Sequence, residues 1–270
     1  MYKTLPTLFF LTVLTVSLAN AQSDYVNRGT SWMTKDDLEQ AIKDSNIVIT
    51  FHPDSANAYY DRGRLLQAHG DVGKALADYN RAIELKPRYA SAYVNRSSIH
   101  YAQGRLDEAL GDLNRAIEID SHNANAYTNR GVIRSAKGDF AGALSDHNKA
   151  ISLDPKLPNS YYNRAVLYLS KRNLMLSLSD FNIAIDLDPT FTSAYINRGS
   201  VYVALGQMES ALRDYDRAIS LKPDDPAAYQ NRGIANLILG KKIEAERDFA
   251  RCRELDQACQ NLAVGKEQRR

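Results

Sequence analysis

An all-α solenoid of stacked helix pairs is the fold class this sequence predicts, on three observations. The phrase Ala-Tyr-x-Asn-Arg-Gly recurs, and its tyrosines (Tyr25, Tyr59, Tyr93, Tyr127, Tyr161, Tyr195, Tyr229) stand 34 residues apart without an insertion. Arginines (Arg28, Arg62, Arg96, Arg130, Arg164, Arg198, Arg232) and aspartates (Asp44, Asp78, Asp112, Asp146, Asp180, Asp214, Asp248) keep the same step. Within each period the apolar residues read as two helical stripes, most of them split by a glycine. Such a unit cannot bury its apolar face alone and completes its core by stacking on a neighbour.

Composition fits a folded chain and narrows the partners. Of 270 residues, 44% are apolar and 24% charged, which excludes a collagen-like or wholly disordered chain. With 34 basic and 32 acidic residues the net charge is +2, so no global attraction to nucleic acid or anionic membrane is expected. Tyrosine is in excess, 16 against 7 phenylalanines, and so has a regular role.

The first element is a leader. Lys3 is the only charge before Asp24, an apolar run extends from Leu8 to Leu18, and Ala19-Asn20-Ala21-Gln22 follows. This is the layout of a secretory signal, with cleavage predicted after Ala21. The run is shorter than the roughly 20 residues a membrane-spanning helix needs, although an uncleaved anchor is the competing reading. The expected location is secreted or periplasmic, with no membrane span once the signal is removed.

The repeats occupy residues 22–257, as units 24–57, 58–91, 92–125, 126–159, 160–193, 194–227 and 228–257; residues 258–270 form a tail. In the second unit, Tyr59, Gly63 and Leu66 open the first helix and Gly70 ends it. Ala75, Tyr79, Ala82 and Ile83 give the stripe of the second helix, and Pro87 closes the unit.

The 34-residue period, Gly63, Ala75, Tyr79, Ala82 and Pro87 resemble the tetratricopeptide repeat family. Tyrosine stands for the family's usual tryptophan at Tyr59, and arginine for its leucine at Arg62. The resemblance implies a right-handed superhelix whose concave face is lined by first helices, and a binding scaffold in place of an enzyme. Some members clamp a terminal carboxylate with a lysine at the Tyr60 position, an asparagine at the Arg64 position and an arginine at the Asn129 position. No unit carries that set.

The terminal units read as caps: Ser45, Glu246 and Arg253 replace apolar residues. Unit five lacks the turn glycine, carries Lys171-Arg172-Asn173, and has Ser177 in place of alanine. The tyrosine ladder is expected to fill the gap between first and second helices, with hydroxyls at the rim. Arg62 and Asp78, 16 residues apart, can meet across a helix pair, and each aspartate could also reach an arginine of an adjacent unit.

The asparagine ladder carries the binding expectation. Asn27, Asn95, Asn129, Asn163, Asn197 and Asn231 precede the arginines, with Asp61 in the second slot. By family geometry this position faces the groove, similar to the asparagines that hold a peptide backbone in O-linked N-acetylglucosamine transferase. An amide offers two donors and two acceptor lone pairs, so it matches any peptide bond. Bridging of local groups is the alternative role. Tyr101 and Tyr162 are further groove candidates. The lining becomes more aliphatic from unit five, through Leu169, Ile196 and Val203, and exposed aliphatic residues there would call for a partner.

No catalytic or metal constellation is present in the sequence. The five histidines fall at unrelated repeat positions, and neither a phosphate-binding loop nor a nucleophile elbow occurs. No cofactor is expected. Cys252 and Cys259 are candidates for a disulfide that pins the tail to the last repeat. Asn95-Arg96-Ser97 matches the glycosylation pattern, here read as coincidental. The functional expectation is a non-enzymatic scaffold binding an extended peptide or partner segment. A self-assembling or envelope-complex subunit, including a homo-oligomer, and a glycan- or cell-wall-binding solenoid are the alternatives.

Overall fold

The computed structural model describes residues 33–261; the expected leader, the first helix of unit one with Asn27, and the end of the tail lie outside these residues. Among the described residues the secondary structure is entirely helical. In the N-terminal compact unit, which ends at Pro155, the helices are α1 (Lys35–Phe51), α2 (Ala56–His69), α3 (Val72–Leu85), α4 (Ala90–Ala102), α5 (Leu106–Ile119), α6 (Ala124–Ala136) and α7 (Phe140–Leu153). In the C-terminal unit, from Lys156, they are α8 (Pro158–Ser170), α9 (Leu174–Leu187), α10 (Thr192–Ala204), α11 (Met208–Leu221), α12 (Pro226–Ile238) and α13 (Lys242–Leu255). A 3-10 turn, Gln257–Asn261, follows. Each repeat from the second onward is one helix pair, as the period predicts.

Local chemistry sets the helix ends. Thr34 and Asp37 form a reciprocal capping box: the Asp37 amide donates to Thr34 Oγ1 (3.2 Å) and the Thr34 amide to Asp37 Oδ2 (3.0 Å). Ser55 and Asn123 accept from amides in the first turns of α2 and α6. Gly70, at φ 97°, takes the left-handed conformation that ends α2. In unit five that place belongs to Arg172, at φ 57°, a conformation that strains a side-chain-bearing residue.

In four of the pairs the interior is a ring of the second helix set on a glycine of the first. A methyl group added to Gly63 would sit 2.8 Å from the Tyr79 ring, and one added to Gly199 would sit 2.6 Å from the Tyr215 ring. Those close contacts are why a small residue recurs there. In unit five Ala165 replaces the glycine, and buried Ser177 donates from Oγ to the Ala165 carbonyl (2.8 Å). Burial raises the pKa of both Tyr79 and Tyr215.

The tyrosine ladder does something other than expected. The gap between the helices is filled by Tyr79, Phe181, Tyr215 and Phe249, from the second helices. The ladder rings lie against the arginine ladder: Arg62 is 5.6 Å from the Tyr59 ring centre, and Arg130 is 5.3 Å from that of Tyr127. The hydroxyls of Tyr93, Tyr195 and Tyr229 donate to the carbonyls of Pro87, Pro189 and Pro223. A large interhelical slot needs a ring that projects from the facing helix toward the glycine; a ring four residues before that glycine on the same helix cannot reach it.

The arginine–aspartate pairs form within repeats. Arg62 Nε and Nη2 donate to Asp78 Oδ2 (2.7 Å) and Oδ1 (2.6 Å), and the same two-pronged contact recurs at Arg96–Asp112, Arg130–Asp146, Arg164–Asp180, Arg198–Asp214 and Arg232–Asp248. Hydrogen bonds to Asp112 hold Arg96 above the usual arginine pKa, against its burial. The link between repeats comes from the remaining prong. Arg62 Nη1 donates to Asn46 (2.8 Å), Arg96 Nη1 to Asn80 (2.8 Å) and Arg198 Nη1 to Asn182 (2.8 Å), each on the preceding repeat's second helix. Each guanidinium therefore joins three helices.

The last repeat closes the series. Ala250 stands where Asn182 and Asp216 serve the next arginine, so no acceptor is presented beyond it. Arg253 donates to Glu246 (2.7 Å) on the outer side of α13. Cys252 and Cys259 are joined by a disulfide that ties the 3-10 turn to this helix.

Candidate functional site

The first helices α2, α4 and α6 of the N-terminal unit carry the ladder residues Asp61, Asn95 and Asn129. Asp61 is exposed, Asn95 is half-buried, and Asn129 is 6% exposed. Asn95 Nδ2 donates to the Tyr60 hydroxyl of the preceding repeat (3.2 Å), which leaves its carbonyl oxygen for another partner. Tyr60 stacks at 4.8 Å on Tyr89, and Arg64 lies 6.0 Å from the Tyr60 ring centre. Burial, with Tyr60 and Asp61 close by, pushes the Tyr89 hydroxyl up to about 12. Gln67 bridges to the next repeat: its Nε2 donates to Ser98 Oγ (3.0 Å), and its Oε1 accepts from the Tyr79 hydroxyl (2.7 Å).

Between α4 and α6 these residues leave a small pocket. Ser97, Ser98, Tyr101, Asn129, Val132 and Ile133 line it. An amide, a hydroxyl and an aromatic edge thus converge on one spot beside two aliphatic side chains. Its open volume, about 10 Å³, is that of a single water molecule, so it marks a narrow seam between the two helices. Tyr101 and Asn129, predicted separately from the repeat pattern, meet here. Burial raises the Tyr101 pKa.

In the C-terminal unit the corresponding face is closed. Asn197 is 3% exposed and its Nδ2 donates to the Tyr162 hydroxyl (2.9 Å). Tyr162 is itself 2% exposed, with its ring 4.7 Å from Phe191 and 5.8 Å from Phe181. Asn231 is buried and Asn163 half-buried. The aliphatic residues expected to be exposed are not: Leu169, Ile196 and Val203 are buried against their own unit. Their apolar character therefore belongs to packing between neighbouring first helices and asks for no partner.

Other candidates resolve plainly. Ser97 of the glycosylation pattern is buried on α4 and donates to the Val94 carbonyl (2.6 Å). Among the described residues no group of three His, Cys, Asp or Glu side chains could hold a metal, and no helix is long and apolar enough to cross a membrane. The asparagine series Asn46, Asn80, Asn114 and Asn182, which receives the third arginine prong in its repeats, was missed in the sequence reading. Its 34-residue spacing was visible; the partner across the repeat junction was not.

The sequence and fold both match known proteins. A tetratricopeptide repeat model matches residues 35–88 and 60–124, and a second TPR repeat model matches residues 133–171 and 199–240. Comparison with curated proteins gives no match. Among solved structures, a chain of the APC/C hetero-tetramer Cut9–Hcn1 is similar over 89% of this chain and 45% of its own, with a TM-score of 0.77 and 15% identity. This chain thus spans under half of that one. A tetratricopeptide repeat protein from Parabacteroides merdae is similar over 89% of this chain and 96% of its own (TM-score 0.67, 19% identity). YrrB, described as a TPR protein with an unusual peptide-binding site, aligns over 66% of this chain and 92% of its own (TM-score 0.50, 21% identity). Identities this low speak for the fold alone. Unbroken periodicity, helix pairs in register and two matching repeat models converge: the chain belongs to the tetratricopeptide repeat family.

Proposed function

We propose that this protein is a non-enzymatic interaction scaffold that binds an extended peptide or partner segment on the first-helix face of its N-terminal unit, in a secreted or periplasmic setting. The observation that carries the reading is the half-buried Asn95, whose carbonyl oxygen is open beside Tyr60 on a first-helix face that also keeps Tyr101 half-buried. Asn95 offers its unused carbonyl oxygen for a backbone-matching hydrogen bond, and Asn129 stands one repeat later at the seam between α4 and α6. Tyr101 and Val132 supply apolar contact. In the C-terminal unit Asn163 keeps part of its side chain accessible, whereas Asn197, Asn231 and Tyr162 serve that unit's packing. Peptide binding by YrrB supports the reading by analogy of fold. The leader pattern and the Cys252–Cys259 bond support an oxidising compartment. The end of the arginine–asparagine series at Ala250 speaks against a self-assembly mode in which the last repeat adds another arginine-clamped repeat.

The test is affinity capture from native extract, with bound species identified by mass spectrometry. Wild type is compared with Asn95→Ala/Asn129→Ala and with Asn197→Ala, all verified as folded by circular dichroism. The reading expects a partner held by wild type and Asn197→Ala and lost from the double variant. Equal retention by all three would overturn it.

A further inference from the structure

The helix-to-helix turns of the C-terminal unit differ from those of the N-terminal unit in a way the packing does not require. In the N-terminal unit each turn sets an acid among its charges. Asp71 accepts from Lys74 (3.0 Å), Arg105 is followed by Asp107, and Asp139 lies 3.8 Å from Arg134. The turn of unit five is Lys171-Arg172-Asn173-Leu174-Met175, without an acid, and that of unit seven is Leu239-Gly240-Lys241-Lys242-Ile243-Glu244, with two bases to one acid. All four bases are exposed.

The same two turns expose large apolar side chains. Met175 is 67% and Ile243 69% exposed, and Leu176, Ile238 and Leu239 are exposed beside them. Exposure at Met175 is no effect of the chain end, because unit five is an interior repeat. Equivalent positions elsewhere hold small or polar residues: Gly73, Asp107, Ala141 and Glu209 match Met175 and Ile243, while Ala68, Ala102, Ala136 and Ala204 match Ile238. Units five and seven thus depart in the same direction at one shared position, Met175 and Ile243, with their bases and further apolar residues at neighbouring positions of the same turn. Arg172 also keeps a positive charge at a backbone position that favours glycine.

The geometry points to this turn edge as a peripheral docking surface for an anionic lipid bilayer. First helices of successive repeats stack side by side, so the turns of units five and seven lie along one edge, with unit six between them. Single repeats stack about 10 Å apart, so the two tips stand roughly 20 Å apart. Protruding apolar tips, each flanked by two bases and separated by a less apolar one, match a flat surface of negative headgroups over hydrocarbon. A protein partner of the usual kind would call for one contiguous apolar patch in place of separate tips. The near-zero net charge of the whole chain confines the attraction to this edge.

The test is co-sedimentation with vesicles of phosphatidylcholine, and of phosphatidylcholine with an equal share of phosphatidylglycerol. The full chain and the chain from Gln22 are both assayed, so that the apolar leader's own affinity drops out of each wild-type-to-variant comparison. Wild type from Gln22 should bind the anionic vesicles at least tenfold more tightly than the neutral ones, and the excess should fall with salt, because screening shortens to about 10 Å at 0.1 M. Met175→Ser/Ile243→Ser and Lys171→Glu/Lys241→Glu should each lower anionic binding on the order of tenfold. Lys137→Glu, in an N-terminal turn where Lys137 is already paired with Asp107, should leave it within about twofold. Absence of anionic binding at low salt, or unchanged binding by both double variants, would overturn the inference.

Discussion

The two compact units share one repeat and use its surfaces in opposite ways. In residues 33–155 the first-helix face is partly open: Tyr60, Asn95 and Tyr101 are half-buried, while Asn129 is buried at a narrow seam between α4 and α6. The turns there are charge-balanced. In residues 156–261 the same face is sealed by Tyr162, Leu169, Ile196 and Val203, while the turns expose Met175 and Ile243. One scaffold therefore offers two addresses, because the residues that hold a repeat together occupy few of its positions. Glycine, ring, arginine and aspartate are constrained; the face and the turn are not.

The largest way to sharpen this comparison is in the clamp. Asp146 accepts from Arg130 and also from Arg134 (2.8 Å), whereas Asp214 accepts from Arg198 alone among arginines, with Tyr202 against the same guanidinium. Asp146→Ala leaves two half-buried cations without their acid and should destabilise by about 3 kcal/mol in urea titration. Asp214→Ala should cost about 1 kcal/mol less. Equal losses would mean that the second arginine adds nothing.

Next in size is the disulfide. Cys252→Ser/Cys259→Ser opens a short loop, and the chain-entropy model puts the loss at about 2.5 kcal/mol. Hydrogen exchange should speed up in α12 and α13 and stay unchanged in α2 to α7. Faster exchange throughout would show the units to be one cooperative body.

The amides give a contrast in kind. Asn197→Ala removes a buried partner of Tyr162 and should cost about 1–2 kcal/mol of stability. Asn95→Ala should cost under about 1 kcal/mol yet weaken peptide capture, since its amide is half-buried with the carbonyl oxygen open. Thermal melts beside the capture assay separate the two. The smallest effect is at the turns: Arg172→Gly relieves the left-handed strain and should stabilise by about 1 kcal/mol, while Gly138→Ala should destabilise by a similar amount. If Arg172→Gly leaves the melting point unmoved, the turn carries no strain.

Much of the fold was legible because periodicity survives in sequence. The helix pairs, turn glycines, closing prolines and the arginine–aspartate pairing all follow from spacing, and spacing maps directly onto helix faces. The tyrosine ladder was misread, since spacing says which face a ring is on but not whether a partner ring already fills the slot. Asn129 and Tyr101 were legible as candidates, each from its repeat position alone. Their convergence was not, because it depends on the stacking of α4 beside α6.

Sequence by itself determined the repeat length, the helix pairs, the family and the residue ladders, because each is a local pattern multiplied by translation along the chain. Only tertiary structure decided which ladder residues stay available. Asn95 and Asn197 hold the same repeat position and each donates to a tyrosine of the preceding repeat, yet one keeps an open side and the other is buried. The difference lies in neighbours: Tyr162 is walled in by Phe181 and Phe191, whereas Tyr60 meets Tyr79, Tyr89 and the exposed, charged Arg64. Exposure is a property of the whole surrounding shell, and that shell is assembled from residues some 20–30 positions away along the chain, beyond the reach of any local pattern.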